Sequence, residues 1–257
     1  VVEVLGGELP AADYMERCLR AGKHVVTANK EALSKHLARL VSTAHEVRRA
    51  LMFEASVGGG IPLMVSYRQI LAANRITRIR GIVHGTTNYI LTQMADAGLT
   101  YGEALAEAQR LGYAEPDPTA DVEGYDAAYK LAILASLMAG RHVLPSEVER
   151  VGITDVTPGM IAEAQARGGA IKLIAGAERH GRALQLRVAP EFVGGDNLLA
   201  HVKANFNAIE LVGDRVGPVV LNGQGAGPLP TASAILSDIV EAVRSGADAT
   251  PRLVPSW

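Results

Sequence analysis

Asp126 and Lys130 stand four residues apart, the spacing that puts two side chains on one face of a helix. On a solvated helix such a pair is only a surface ion pair, worth well under ~1 kcal/mol. The residues that follow argue for something else. "LAILASLMAG", Leu131 to Gly140, is apolar on nearly every side, which marks a buried helix. A lysine at its edge needs a partner or gives up its proton. Held by an aspartate and partly dehydrated, it can pass a proton to or from a hydroxyl or a carbonyl oxygen. The segment just before, "GYAEPDPTADVEG", delivers Glu115, Asp117, Asp121 and Glu123 to the same helix end. Pro116 and Pro118 stiffen it. It reads either as a solvated acidic loop or as a rigid frame of carboxylates for a substrate ammonium group.

Other stretches carry weaker signals. "EASVGGGIP", Glu54 to Pro62, has glycines that permit unusual φ and close backbone approach. Its carbonyls could ring a monovalent cation, or it is a plain strand-to-loop transition. It lacks the terminal Gly-Lys-Ser/Thr of a P-loop. "VHGTTNYIL", Val83 to Leu91, sets hydroxyls and an amide at a helix start, where backbone N–H groups can hold an anion. Ordinary capping by Thr86 or Thr87 is the simpler reading. "TANK", Thr27 to Lys30, follows a strand, where ligands of open α/β sheets bind; Lys30 reads equally as a solvated turn residue. "GQGAGPLPTASA" places glycines before a helix. The seven histidines show no His-x-x-x-His pair, and Cys18 is the only cysteine, so a zinc site is not expected. No Gly-x-Ser-x-Gly elbow is present.

These groups need elements to position them. Val1 to Leu5 and Leu51 onward read as strands, and Lys23 to Lys30 as a short strand leading to a polar turn; Pro10 to Ala21 and Glu31 to Ala50 read as helices, the first stopped by Gly22. Strand alternating with helix predicts a parallel sheet with covering helices. Beyond it come a strand at "ITRIRGIVHG", a helix at "TTNYILTQMADAG", and a helix capped by Thr100 with Glu103 at the capping-box position. From Ile171 onward β-branched runs broken by Gly, Asn and Asp predict strands, and "PTASAILSDIVEAVRSG" predicts a closing helix.

The 257 residues suffice for one large or two ordinary domains. A net charge of -2 without a basic stripe argues against a nucleic-acid partner. A lone cysteine, expected to be a small apolar helix residue, fits a reducing compartment, so a cytoplasmic location is expected. No apolar run approaches the ~20 residues of a membrane span, and no signal peptide opens the sequence. "VVEVLGG" is apolar from its first residue, as inside a buried strand, so the natural protein is expected to begin further upstream.

In their order, "VVTANKEAL", "FEASVGGGIP", "GIVHGTTNYILTQM", "GYAEPDPTADVEGYDAAYKLAILA" and "GQGAGPLPTASAILSD" resemble homoserine dehydrogenase, over nearly the whole chain. The resemblance implies an NAD- or NADP-dependent enzyme that interconverts L-homoserine and L-aspartate 4-semialdehyde on the route to threonine and methionine. It implies Lys130 as proton donor and acceptor, oriented by Asp126, with Lys30 at the junction of cofactor and substrate. Glu115 and Asp126 would hold homoserine, with Asp121 and Thr87 nearby. Ala28, Asn29, Lys30, Gly112 and Gly227 match positions near the cofactor. Glu54, Val57, Gly59 and Ile61 match a monovalent-cation site (Na+ or K+) ligated mostly by backbone oxygens. A homodimer is implied as well.

The expected fold is α/β. Residues 1–56, joined by the closing helix 228–246, would form the later part of a Rossmann-like dinucleotide-binding domain. Residues 57–227 would form an α+β substrate and dimerisation domain on a mixed sheet. No Gly-x-Gly-x-x-Gly turn is present in this sequence, so the residues that discriminate NAD from NADP are expected upstream. His84 stands where the family usually has a small polar residue such as asparagine, and is expected to alter the substrate pocket or its pH dependence. Two rival readings are a dehydrogenase of another amino acid and a non-catalytic binding or assembly module.

Overall fold

A computed structural model describes residues 1–181, 183–251 and 253. In its first part β1 (Val2–Glu3), β2 (Val25–Thr27) and β3 (Leu51–Met52) pair in parallel in the order β1-β2-β3. They are linked by α1 (Ala11–Arg20) and α2 (Lys30–Glu46). Helix α1 buries Ala11, Ala12, Met15 and Leu19, the one-sided spacing of an amphipathic helix. It stops at Gly22, whose φ of 74° suits glycine. Cys18 sits in α1 as a free, partly buried thiol against the core. The strands are shorter than their apolar sequences suggest. Val4 and Leu5 leave the sheet and are exposed, and after Met52 the chain turns into a single 3-10 turn, Glu54–Ser56. Helix α2 ends at Glu46 rather than near Ala50, because Arg48 takes a positive φ of 53°.

The second part runs α3 (Leu63–Leu71), β4 (Ile76–Ile82), α4 (Gly85–Asp96), α5 (Tyr101–Arg110), α6 (Thr119–Val122), α7 (Tyr125–Ala139), β5 (Glu149–Arg150), α8 (Pro158–Ala166), β6 (Gly169–His180), β7 (Ala183–Gly194), β8 (Phe206–Gly213), β9 (Gly217–Gln224) and α9 (Pro228–Ser245). The six strands order as β5-β7-β6-β4-β8-β9. The short β5 lies parallel to β7 and every other neighbour is antiparallel, so the sheet is mixed. Residues alternate across it: Leu173, Ala175 and Ala177 join the main core with α7, while Ile174 packs with Ile82, Val193 and Leu199 on the other face.

Helix α7 is the spine of this part. Leu131 to Met138 are all buried, and Gly140 closes the helix in the left-handed region. Ser136, polar within this run, donates to Ala132 O at 2.7 Å and accepts from Val143 N at 2.9 Å, which satisfies it. Helix α9 returns to the first sheet, where Ala242 packs with Val26 and Met52.

Candidate active site

The acidic segment and the buried helix meet at Asp126. It lies in the first turn of α7 and is only 5 % exposed. Lys130, one turn on, is buried too and puts Nζ 2.6 Å from Asp126 Oδ2. Its directed hydrogen bond runs instead to Val83 O, at 2.7 Å, where β4 gives way to α4. Among the described residues Asp126 Oδ2 accepts no well-directed hydrogen bond, so the contact with Lys130 is a charge pair. Lys30 arrives from the other sheet. It is the first residue of α2, and its Nζ lies 2.8 Å from Asp126 Oδ1. One buried carboxylate is therefore shared by two lysines.

The titration of the three groups follows from this geometry. Burial pushes the Asp126 carboxyl up, but the charges of Lys130, His84 and Lys30 outweigh it and hold the group well below the usual carboxylate range. Burial pulls the Lys130 ammonium down more than Asp126 lifts it, and Lys30 adds repulsion, so Lys130 sits below an ordinary lysine. Lys30 is also pulled down by burial, but Asp126, Asp121 and Glu31 more than compensate and raise it. The outcome is one lysine that keeps its proton firmly and one primed to exchange it.

His84 completes the cluster. Its Nε2 lies 3.1 Å from Asp121 Oδ1 and 3.5 Å from Asp126 Oδ2. The structure corrects the expected helix cap here. Helix α4 is capped by His84, whose Nδ1 accepts from Thr87 N, and not by Thr86 or Thr87. The buried Thr87 hydroxyl donates back to His84 O, and that of Thr86 donates to Tyr113 O. Asn88 donates to the carbonyls of Val202, Ala204 and Phe206. The polar groups at this helix start are thus largely engaged within the fold.

Of the other residues singled out by sequence, Asp121 joins the cluster. Glu115 is exposed, and its backbone oxygen accepts from Gln109. Asn29 caps α2 through Ala32 N and donates to Gly7 O, so its side chain ties the turn after β1 to the turn after β2. Ala28 N bonds Glu3 O at 3.3 Å between the same strands. Gly112 takes a φ of 76° with open space where a side chain would be. Gly227, with a φ of 123°, precedes α9.

Three turns gather at the carboxyl ends of β1, β2 and β3: Gly6-Gly7, Thr27 to Lys30, and Gly58 to Gly60. Ligands of open parallel sheets bind at that edge. A Cβ on Gly59 would come within 2.4 Å of Gly225 O, so glycine there lets the third turn meet the Gly225–Gly227 turn.

The stretch Glu54 to Ile61 differs in character. The buried Glu54 carboxylate accepts from Met64 N at 2.6 Å and Val65 N at 3.1 Å, capping α3. Among the described residues no group of three His, Cys, Asp or Glu side chains could hold a metal ion. A cation here would therefore rest on backbone oxygens.

The comparisons agree with this geometry. The model of a family described as homoserine dehydrogenase matches residues 62–240. The chain belongs to the homoserine dehydrogenase family. A companion model, homoserine dehydrogenase, NAD binding domain, matches residues 1–54. Homoserine dehydrogenase of Synechocystis sp. is 43% identical over 261 residues, covering 99% of this chain and 60% of that protein. That of Mycobacterium tuberculosis is 45% identical, covering 95% of this chain and 57% of its own length. A solved homoserine dehydrogenase from Thiobacillus denitrificans, 42% identical, superimposes with a TM-score of 0.92 over 95% of this chain and 57% of that one. A hyperthermophilic archaeal homoserine dehydrogenase in complex with NADPH, 31% identical, gives a TM-score of 0.82 over 98% and 73%. The chain thus spans about 60% of the length of the Synechocystis relative. The family resemblance read from the motifs and the α/β fold with its mixed sheet are both borne out.

Proposed function

We propose that the protein interconverts L-homoserine and L-aspartate 4-semialdehyde, with Lys130 exchanging the proton of the substrate oxygen. The observation that carries this is the contrast between the lysines on Asp126: buried Lys130 is lowered and half-exposed Lys30 is raised. An ammonium has three N–H groups. Val83 O takes one of them at Lys130, and Asp126 Oδ2 lies beside the ammonium as its counter-charge, which leaves donor capacity for a substrate oxygen. In the reducing direction negative charge develops on the aldehyde oxygen, and Lys130 stabilises it and supplies the proton. In the oxidising direction neutral Lys130 takes the hydroxyl proton. Asp126 holds Lys130 in place one helical turn away. The apolar side of α7 keeps water out, which strengthens both effects. Asp121 and Asp126 supply the negative charge for the substrate ammonium, and Glu115 is assigned to the mouth of the site.

NAD or NADP, when bound along the edge of β1, β2 and β3, supplies the hydride acceptor or donor. Ala28, Asn29, Lys30, Gly112 and Gly227 are assigned to its contacts. Within this reading residues 1–56 with helix 228–246 act as the dinucleotide-binding unit, supported by the packing of α9 on β2 and β3. Residues 57–227 carry the substrate site. The backbone oxygens of Glu54, Val57, Gly59 and Ile61 are assigned to a monovalent cation, supported by the positive φ of Gly58 and Gly59. A homodimer belongs to the same reading. The six-stranded sheet carries paired charges, Arg80–Glu191 at 2.8 Å and Arg78–Glu210 at 3.3 Å, and not a field of one sign that would repel a second copy. No helix among the described residues is long and apolar enough to cross a membrane.

The test is nicotinamide reduction by the protein with homoserine and with NAD or NADP. Aspartate and longer amino acids serve as competing substrates. Homoserine-dependent reduction is expected. Reduction only with another amino acid would move the assignment to that substrate, and none with any would end it.

A further inference from the structure

His84 lies on neither lysine-bearing helix, yet it reaches both acids of the cluster. Thr87 N–H points at Nδ1 from 3.5 Å, so Nδ1 is the acceptor and the neutral ring carries its proton on Nε2. Nε2 itself lies within ion-pair distance of Asp121 Oδ1, at 3.1 Å, and of Asp126 Oδ2, at 3.5 Å. One ring nitrogen thus sits against carboxylates of two different helices. Asp126 is held by two lysines and does not depend on it.

Asp121 is placed differently. It lies on α6, a four-residue turn whose N-cap, Pro118, makes no side-chain cap bond. A single helical turn does not hold itself together, and the loop before it leaves Glu115 and Asp117 exposed. The His84 imidazole is buried to the point that 12% of its side chain is exposed, so its own direction is fixed.

We propose that His84 is a positioning residue for substrate binding: the contact of its Nε2 with both acids holds Asp121 beside Asp126, so that the two carboxylates present one anionic face to the ammonium group of an amino-acid substrate. This rests on the reading that the site takes homoserine. The effect falls on the amino-acid substrate and spares the dinucleotide, which is assigned to the edge of the other sheet.

Kinetics of His84→Ala and His84→Gln test it. Glutamine places an amide N–H near the position of Nε2 but offers no acceptor at Nδ1; alanine removes both. His84→Ala is expected to raise KM for homoserine about tenfold, the loss of one close polar contact with a charged group. KM for the dinucleotide should stay within about twofold, and His84→Gln should recover most of the loss. In an Asp121→Ala background, His84→Ala should add nothing, because the partner is gone. His84→Gln as poor as His84→Ala, equal rises in both KM values, or additive losses with Asp121→Ala would overturn the proposal. If the wild-type protein oxidises no homoserine, the functional reading falls, and His84 is judged by imidazole 15N shifts. An Nε2-protonated ring whose Nε2 resonance moves in Asp121→Ala supports the tie. An Nδ1-protonated ring, or a resonance that does not move, overturns it.

Discussion

Lys30 and Lys130 grip opposite oxygens of one buried carboxylate. Lys30 Nζ lies 2.8 Å from Asp126 Oδ1 and Lys130 Nζ lies 2.6 Å from Oδ2. The two lysines come from different sheets' helices, so Asp126 is also the point where the two halves of the fold are joined by charge. The lysines differ in exposure: 42% of the Lys30 side chain is open to solvent against 10% for Lys130. Burial lowers Lys130, while the acids around Lys30 outweigh burial there, so Lys130 gives up its proton more readily.

The pH dependence of turnover should show it. In the proposed mechanism homoserine oxidation needs neutral Lys130, whose ammonium burial has lowered. Oxidation should therefore rise with pH and reach its half-maximum below ~10.4, the ordinary lysine value. Aldehyde reduction, which needs the ammonium, should fall over the same range. Asp126→Asn removes the anion that favours the charged form, so its midpoint should move lower still. A midpoint that moves upward in that variant would refute the assignment of Lys130 as the titrating group.

Acid stability reports on Asp126 independently of activity. Its folded-state pKa lies below that of an unfolded aspartate, ~3.9. The stabilisation is therefore complete above ~pH 5 and is lost progressively as pH falls toward the folded-state value. Asp126→Asn should flatten the acid limb of a denaturation profile. At neutral pH it should cost about 3 kcal/mol, because Lys130 is left buried without its counter-charge. Urea midpoints across the acid range measure both effects; a parallel shift of the whole profile would contradict the account.

Asp238 should behave in the opposite sense. It is buried on α9, and its Oδ2 accepts from Glu54 N at 2.8 Å. Burial, aided by the nearby Glu54 charge, pushes its carboxyl up to about 7. Between ~pH 4 and ~pH 7 the folded protein then holds a proton that the unfolded chain has released, so stability declines as pH rises through this window. Asp238→Asn keeps the acceptor for Glu54 N and removes the titration. The variant should lose much of that decline and gain on the wild type as pH approaches 7. Glu54, raised by burial in the same direction, should account for a remaining slope. Identical slopes for variant and wild type would show that Asp238 does not titrate there.

Much of this was legible in the sequence, and what was not has a physical reason. The Asp126–Lys130 pair follows from helical spacing, and the burial of Lys130 from the apolar run after it. The Thr100–Glu103 capping box formed as its spacing requires. The contact of Lys30 with Asp126 is a tertiary fact between two sheets, and no local pattern encodes it; its place after a strand and the family resemblance drew Lys30 toward the site, but not toward Asp126. The cap by His84 was missed because Thr86 and Thr87 are better cap formers by type, while the helix begins at Gly85, one residue before the first threonine and two before the second. Helix α8 is signalled in the sequence as well, since Thr157 caps it and Pro158 opens it. The bond from Glu54 N to Asp238 joins positions far apart in sequence, and neither residue type announces it.

The central claim is that Lys130 moves the substrate proton, and the direct measurement is homoserine-dependent nicotinamide reduction by Lys130→Ala beside the wild-type protein, with folding checked by circular dichroism. Loss of a general acid–base group should lower kcat by about 10² to 10⁴-fold. The fold should survive, because Lys30 still neutralises Asp126. A folded Lys130→Ala protein with near-normal kcat would contradict the account.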